Sequence, residues 1–155
     1  MSTDLDATVE TRLRGAGQRY TQQRRDLLHL LAQAASPVSI PQILADSDEL
    51  KQSSVYRNLA ALEQAGVVRR VPTDEEHGRY ELAEELIGHH HHLVCSNCGT
   101  MRDVQVPADL EKTLDATLDR IAKRAGFAQV EHRLDLVGLC GDCAGAGGDR
   151  PPLAD

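Results

Sequence analysis

The sequence predicts an α+β chain in two parts, and three patterns carry that reading. Helical periodicity occupies residues 4–65 and then gives way to a strand, a polar turn and a return strand ending at Leu82. After a short break, strands and one long amphipathic helix share the remainder. In that second part His89-His90-His91-His92 runs into Cys95-Ser96-Asn97-Cys98, and Cys140-Gly141-Asp142-Cys143 answers it. Thiolates two residues apart can grip one tetrahedral metal, so two such pairs make a four-cysteine zinc site with no open position. Two disulfides would be the other use of these cysteines, but such close pairs in a reducing compartment point to metal. The histidine run is internal, flanked by ordered-looking sequence, which argues against an affinity tag.

Composition narrows the rest. The 155 residues hold one Phe, three Tyr and no Trp, so any core is aliphatic. Two small aliphatic units are marginal alone, and a structural metal and an oligomer interface are expected supports. The polar, acidic start offers no signal-peptide core, and no run approaches the roughly 20 apolar residues of a membrane span. A cytoplasmic protein with no membrane partner is therefore expected. Net charge is −7, divided as −2 over residues 1–83 and −5 over 84–155. Five arginines (Arg12, Arg14, Arg19, Arg24, Arg25) nevertheless crowd one acid-free stretch. Such a patch suits either phosphate contacts or a solvated helix face.

Each element has its own signal. Leu5, Val9 and Leu13 recur at helical spacing over residues 4–15, which Gly15 and Gly17 close. Thr21 is placed to cap a second helix to about Ala35, with Leu27, Leu28, Leu30 and Leu31 on its apolar side, before Pro37 stops it. Ser39 with Gln42 forms a capping-box pattern for a short helix from Ile40 to about Asp46. Ser53 is read as the cap of a helix to about Ala65, closed by Gly66. Val67–Val71 and Arg79–Leu82 are the strands of a hairpin whose turn holds His77. Three helices followed by a β-hairpin is the winged helix-turn-helix arrangement.

Beyond a hinge at 84–88, strands are expected through His91–Val94 and Thr100–Val106. A helix follows over Ala108–Ala125 with Leu110, Leu114, Leu118 and Ile121 as an apolar seam. One long strand is expected from Phe127 to Leu139, and a disordered Gly/Pro-rich tail over 144–155. The domains are thus 1–83, DNA-binding, and 89–143, α/β and metal-binding.

On the helix from Ser53, Val55, Leu59 and Leu62 fall on one side at helical spacing and should face the core. Ser53, Arg57, Ala60, Ala61 and Gln64 fall opposite, with Tyr56 on the flank. Small residues let such a face sink into a major groove, where arginine grips guanine edges and Tyr touches thymine methyls or phosphate. One reading helix seldom gives adequate specificity, so dimerisation is expected.

Alternate strand residues point to opposite faces, so His89 and His91 share one side and His90 and His92 the other. Each imidazole pair needs further ligands. Glu81 and Asp103 are candidates for one pair, Glu111 and His132 for the other. Histidine with carboxylate suits Fe(II), Mn(II) or Zn(II). His29, in the Leu-rich second helix, reads as a surface or packing residue. No H-E-x-x-H, deaminase pattern or nucleophile elbow is present in the sequence, and four thiolates leave zinc no position for water. An enzyme acting on a small organic substrate is therefore not expected; a metal-storage or chaperone protein is the alternative outside DNA regulation.

Five segments resemble the ferric uptake regulator (Fur) family: Arg19 to Arg24, Ser54-Val55-Tyr56-Arg57, Tyr80-Glu81-Leu82, His89 to Gly99, and Cys140 to Cys143. The match covers roughly residues 12–143. The resemblance implies a homodimer with a winged-helix DNA-binding domain and an α/β dimerisation domain, binding double-stranded operator DNA when loaded with metal. It implies structural zinc on Cys95, Cys98, Cys140 and Cys143. It implies a regulatory site of Glu81, His90, His92 and Asp103, and an additional site of His89, His91, Glu111 and His132. Tyr56 and Arg57 would read bases, Ser54 would join the DNA contacts, and Arg19 would enter the minor groove.

Three features depart from the family pattern. Pro37 stands where many relatives place a regulatory ligand, Arg69 and Ala83 stand near where zinc sensors use Asp and Cys, and the Glu111 helix is about one turn longer. With only N and O donors left, iron is the first expectation for the regulatory ion, then zinc or manganese. A peroxide sensor, in which bound iron oxidises a histidine ligand, is the rival within the family.

Overall fold

A computed structural model describes residues 2–47, 50–73 and 78–145; His77 and the tail from residue 146 lie outside the described residues. The chain divides into two compact units, Met1–Gly88 and His89–Asp155. No helix among the described residues is long and apolar enough to cross a membrane.

The first unit is built on helices that each bury a leucine-rich stripe. Helix α1 spans Ser2–Gly15 and buries Val9 and Leu13 completely. Helix α2, Gln22–Gln33, buries Leu27, Leu28 and Leu31. It stops two residues before the expected Ala35, and Thr21 is its N-cap residue but its side chain accepts no cap hydrogen bond. Strand β1 is only Val38–Ser39, and α3 is Ile40–Ala45. The capping box forms as the sequence suggests: Gln42 N–H donates to Ser39 Oγ at 3.4 Å, and Ser39 N–H to Gln42 Oε1 at 2.8 Å.

Helix α4 spans Gln52–Gln64 and turns Val55, Leu59 and Leu62 inward. Its N-cap is Lys51 rather than Ser53, which falls inside the first turn. Backbone bonds from Ser54 and Val55 to the Lys51 carbonyl already close that turn, so no serine cap is required. At the other end Gly66 takes φ 66°. That lets its N–H reach Glu63 O (3.0 Å) and Val67 N–H reach Leu62 O (2.9 Å), satisfying the last carbonyls. Of the residues expected outward, Ser53, Arg57, Ala60 and Gln64 are exposed, but Ala61 is buried. It lies outside the main hydrophobic cluster; a lone methyl is easily covered by longer neighbours on its own helix.

Strands β2 (Val68–Val71) and β3 (Arg79–Leu82) form the wing, antiparallel, and β1 adds to the far edge of β3 to give the order β1-β3-β2. The segment read as a hinge holds one helical turn, α5, Glu84–Ile87. The core is aliphatic as composition requires, joined by Tyr80 at its edge. Deleting a buried leucine such as Leu28 or Leu59 would cost about 2–5 kcal/mol.

The second unit is a three-stranded sheet with one crossover helix. Strand β4, His91–Cys95, pairs antiparallel with β5, Met101–Val104, and parallel with β6, Asp135–Gly138. Helix α6, Ala108–Arg124, makes the crossover, and α7, Gly141–Gly145, follows. The expected strand from Phe127 to Leu139 is therefore wrong except at its end. β4 offers rungs only from His92 to Cys95, so earlier residues find no ladder, and Gln129 even takes φ 54°. The apolar alternation that suggested a strand stays exposed at Phe127, Val130 and Leu134. Ala144 and Gly145, expected in the tail, belong to α7.

Candidate metal centres

The two C-x-x-C pairs stand at the same end of adjacent parallel strands. Cys95 ends β4 and Cys98 follows on a knuckle that Gly99 turns with φ 71°. Cys140 and Cys143 arrive from β6 into α7. Because β6 lies beside β4 in register, the four sulfurs converge within 4.8 Å of one another, all as free thiols. Cys98 Sγ and Cys140 Sγ are 3.7 Å apart. That fits the edge of a tetrahedron with metal–sulfur bonds of about 2.3 Å, roughly 3.8 Å, and is far too long for a disulfide.

The surroundings also suit thiolate. Backbone N–H groups, chiefly that of Cys98 with those of Cys140 and Asn97, hold the Cys95 thiol down to about 6. Thr100 lowers Cys98. At Cys143 the Asn97 amide lowers the pKa, but sharing hydrogen bonds with Cys140 and Cys98 outweighs it and pushes the thiol up to about 12. Cys143 thus keeps its proton among closely spaced sulfurs, and a divalent cation would displace it. The donor set fits a closed, structural zinc centre.

A second cluster gathers His89, His91, Glu111 and His132, again within 4.8 Å. Alternation along the chain sends His89 and His91 to the α6 side, where Glu111 projects from the first turn. Glu111 Oε1 lies 3.0 Å from His89 Nε2 and 2.8 Å from His132 Nε2, and Oε2 lies 3.0 Å from His91 Nε2. Hydrogen bonding accounts for only part of this convergence, the pair of His91 Nε2 and Glu111 Oε2. His132 Nε2 and Glu111 Oε1, though adjacent, have no hydrogen-bond partner, and neither does buried His91 Nδ1. Lone pairs aimed at one point fit a cation of the zinc, iron or manganese kind. Glu111 is held below the usual carboxylate range, first by its hydrogen bond with His91.

His90 and His92 emerge on the opposite face, 8% and 2% exposed, with ring centroids 5.2 Å apart. Asp103 faces His92 across the β4–β5 ladder, and the three offer ligand atoms within 4.8 Å of one another. Glu81 stands in the first unit on β3, buried, with the guanidinium of Arg69 against its carboxylate.

Two carboxylates escaped the sequence reading. Asp115 Oδ1 lies 3.1 Å from His132 Nδ1, and Asp135 Oδ1 lies 3.2 Å from His92 Nδ1. The first was discoverable, since Glu111 and Asp115 are four residues apart on one helix face. The second depends on the β4–β6 register, which no local pattern announces.

On the first unit, Arg57 and Arg19 are exposed, and among the described residues neither side chain has a partner. Tyr56 and Ser54 are half-buried, Tyr56 packing against the core. The basic patch is otherwise consumed internally. Arg12 bonds Gly66 O, Arg14 pairs with Glu10, Arg25 pairs with Asp6, and Arg24 bonds Gln18 and Asn58. His29 packs at the surface, its Nε2 3.2 Å from Asp6.

Comparison with known proteins identifies the fold and the family. The model of the ferric uptake regulator family matches residues 15–137. The ferric uptake regulation protein of Bordetella parapertussis is 35% identical over 121 residues, 78% of this chain and 79% of that protein. The peroxide-responsive repressor of Staphylococcus saprophyticus is 29% identical over 154 residues, covering 92% and 98%. Among solved structures, the Helicobacter pylori ferric uptake regulator, described as having three functional metal-binding sites, superposes with a TM-score of 0.72. It is 21% identical and covers 93% of this chain and 94% of its own, a likeness of fold. The chain belongs to the ferric uptake regulator family.

Proposed function

We propose that this protein is a metal-responsive repressor that binds operator DNA as a homodimer. Cys95, Cys98, Cys140 and Cys143 hold structural zinc, and His89, His91, Glu111 and His132 form an additional centre. Glu81 from the first unit joins His90, His92 and Asp103 of the second around the regulatory ion, iron first and zinc or manganese next. Ligands contributed by both units tie their mutual angle to metal occupancy, and the ion shifts that equilibrium only by its preference for the DNA-competent form. Arg57, Tyr56 and Ser54 then meet the major groove and Arg19 the minor groove.

The observation that carries this reading is the burial of His90 and His92 on one strand face beside Asp103. Buried imidazoles facing a carboxylate are a donor set built for a cation. Arg57 and Arg19 add two uncommitted cations where phosphate and bases would lie. Glu81→Ala is expected to lower metal-dependent operator affinity while leaving the dimer and its zinc intact. Operator binding unchanged in a gel-shift titration across Fe, Mn and Zn, with chelator controls, would count against it.

The 29% identity with a peroxide-responsive repressor supports a second reading, in which His90 or His92 is oxidised beside bound iron. Mass spectrometry after peroxide treatment separates the two: 2-oxo-histidine at either position favours the peroxide sensor, and unmodified histidines favour the metal sensor.

A further inference from the structure

We infer that Asp115 is the positioning residue of the His89–His91–Glu111–His132 centre, holding His132 in the one tautomer that can ligate there. The inference rests on reading those four side chains as a metal centre. His132 sits between two carboxylates: its Nδ1 lies 3.1 Å from Asp115 Oδ1, and its Nε2 lies 2.8 Å from Glu111 Oε1. With Nε2 facing Glu111 and the shared ligand point, the imidazole proton belongs on Nδ1, where the Asp115 carboxylate 3.1 Å away can accept it. That leaves the Nε2 lone pair free, and Nε2 is the atom left buried without a hydrogen bond. An imidazole whose far nitrogen is held by a carboxylate is oriented and made a better donor.

The geometry follows from α6. Glu111 and Asp115 are four residues apart, so both project from one face toward the His132 segment. That segment has irregular backbone rather than strand, since β6 begins only at Asp135. No ladder fixes His132, whose side chain is nonetheless only 13% exposed. Glu111 and Asp115 together tie this loop position to the helix, Asp115 from the side away from the shared ligand point. The Asp115 side chain is 63% exposed, so replacing it opens no cavity.

The test uses full-length protein with its four-cysteine zinc retained, titrated with Co(II) against a competing chelator. Wild type is expected to show a site that Glu111→Ala removes. Asp115→Ala should weaken that same site about 10- to 100-fold and shift its ligand-field absorption. Asp115→Asn keeps an acceptor without the charge and should fall between, and Asp115→Glu should restore part of the affinity. The four-cysteine centre serves as an internal check on folding, because its thiolate absorption after full Co(II) exchange should be identical in every variant. Affinity within two-fold of wild type and an unchanged spectrum in Asp115→Ala would overturn the role given to Asp115. If Glu111→Ala loses no Co(II), the metal centre itself is wrong and the inference goes with it.

Discussion

Arg69 and Glu81 face each other across the β2–β3 ladder, and the same guanidinium also reaches Glu84. Burial alone would lower the proton affinity of Arg69, but the charge and hydrogen bond of Glu81, followed by those of Glu84, raise it instead. The proposed regulatory ligand therefore already has a cationic partner, and coordination has to compete with it. Arg69→Gln is expected to lower the metal concentration for half-saturation roughly five- to thirty-fold, equivalent to about 1–2 kcal/mol of lost competition. A metal titration of DNA binding checks this. An unmoved midpoint would mean that Glu81 contributes nothing to that ion.

The cysteine cluster makes a prediction about protons. Cys95, drawn from 9.0 to about 6, is thiolate at neutral pH, whereas Cys143, pushed to about 12, retains its proton. Zinc uptake at neutral pH should release protons, that of Cys143 among them, and the number should fall in strongly alkaline buffer. The sign for the metal-free fold follows from Cys95. Its depressed value stabilises the folded unit above pH 9 and loses that contribution as pH falls through about 6. Indicator-dye stoichiometry during zinc addition measures the first effect and acid melts of the chelated protein the second. Proton-free zinc uptake at neutral pH would contradict the assignment.

Helix α6 contains no buried residue within a single chain, although Leu110, Leu114, Leu118 and Ile121 align along it. Leu110 and Ile121 are 52% and 51% exposed, and Leu136 and Val137 on β6 are also uncovered. So much exposed aliphatic surface calls for a partner, and a second copy fits the proposed homodimer. Ile121→Glu should weaken self-association roughly 100-fold, since it places a charge in a desolvated seam. Light scattering over a dilution series reports the change. A dimer that persists at wild-type strength would move the interface elsewhere.

Which parts of the chain were legible beforehand follows from how local their causes are. The helices of the first unit announce themselves through leucine spacing, and the Ser39–Gln42 cap through a three-residue pattern. The convergence of the cysteines could be anticipated because two short pairs suit one tetrahedron. The length of β6 could not, because it is set by how much edge β4 offers rather than by the alternation of Phe127 to Leu139. β1 was invisible for the same reason: Val38 and Ser39 become a strand only by meeting Tyr80 and Arg79. The carboxylate behind His92 belongs to that class too, being a product of register alone.

Side-chain bonds from α2 hold α4 in place. Arg24 Nε donates to Asn58 Oδ1 at 3.2 Å, and Asn58 Nδ2 donates to Gln23 Oε1 at the same distance. The start of α2 thus clamps the outer side of α4 next to Arg57, while Arg24 also bonds the carbonyl of Arg19. Asn58→Ala should cost about 1 kcal/mol of stability and weaken DNA binding equally across sequences, because it loosens the helix without removing a base contact. Arg57→Ala should instead cost about 1–3 kcal/mol on the operator and relax the preference at the base it reads. Arg19→Ala should lessen the salt dependence by about one unit of slope. Affinities for operator and scrambled duplex, measured over a range of salt, separate the three. Equal losses on both duplexes for Arg57→Ala would remove it from the base-reading set.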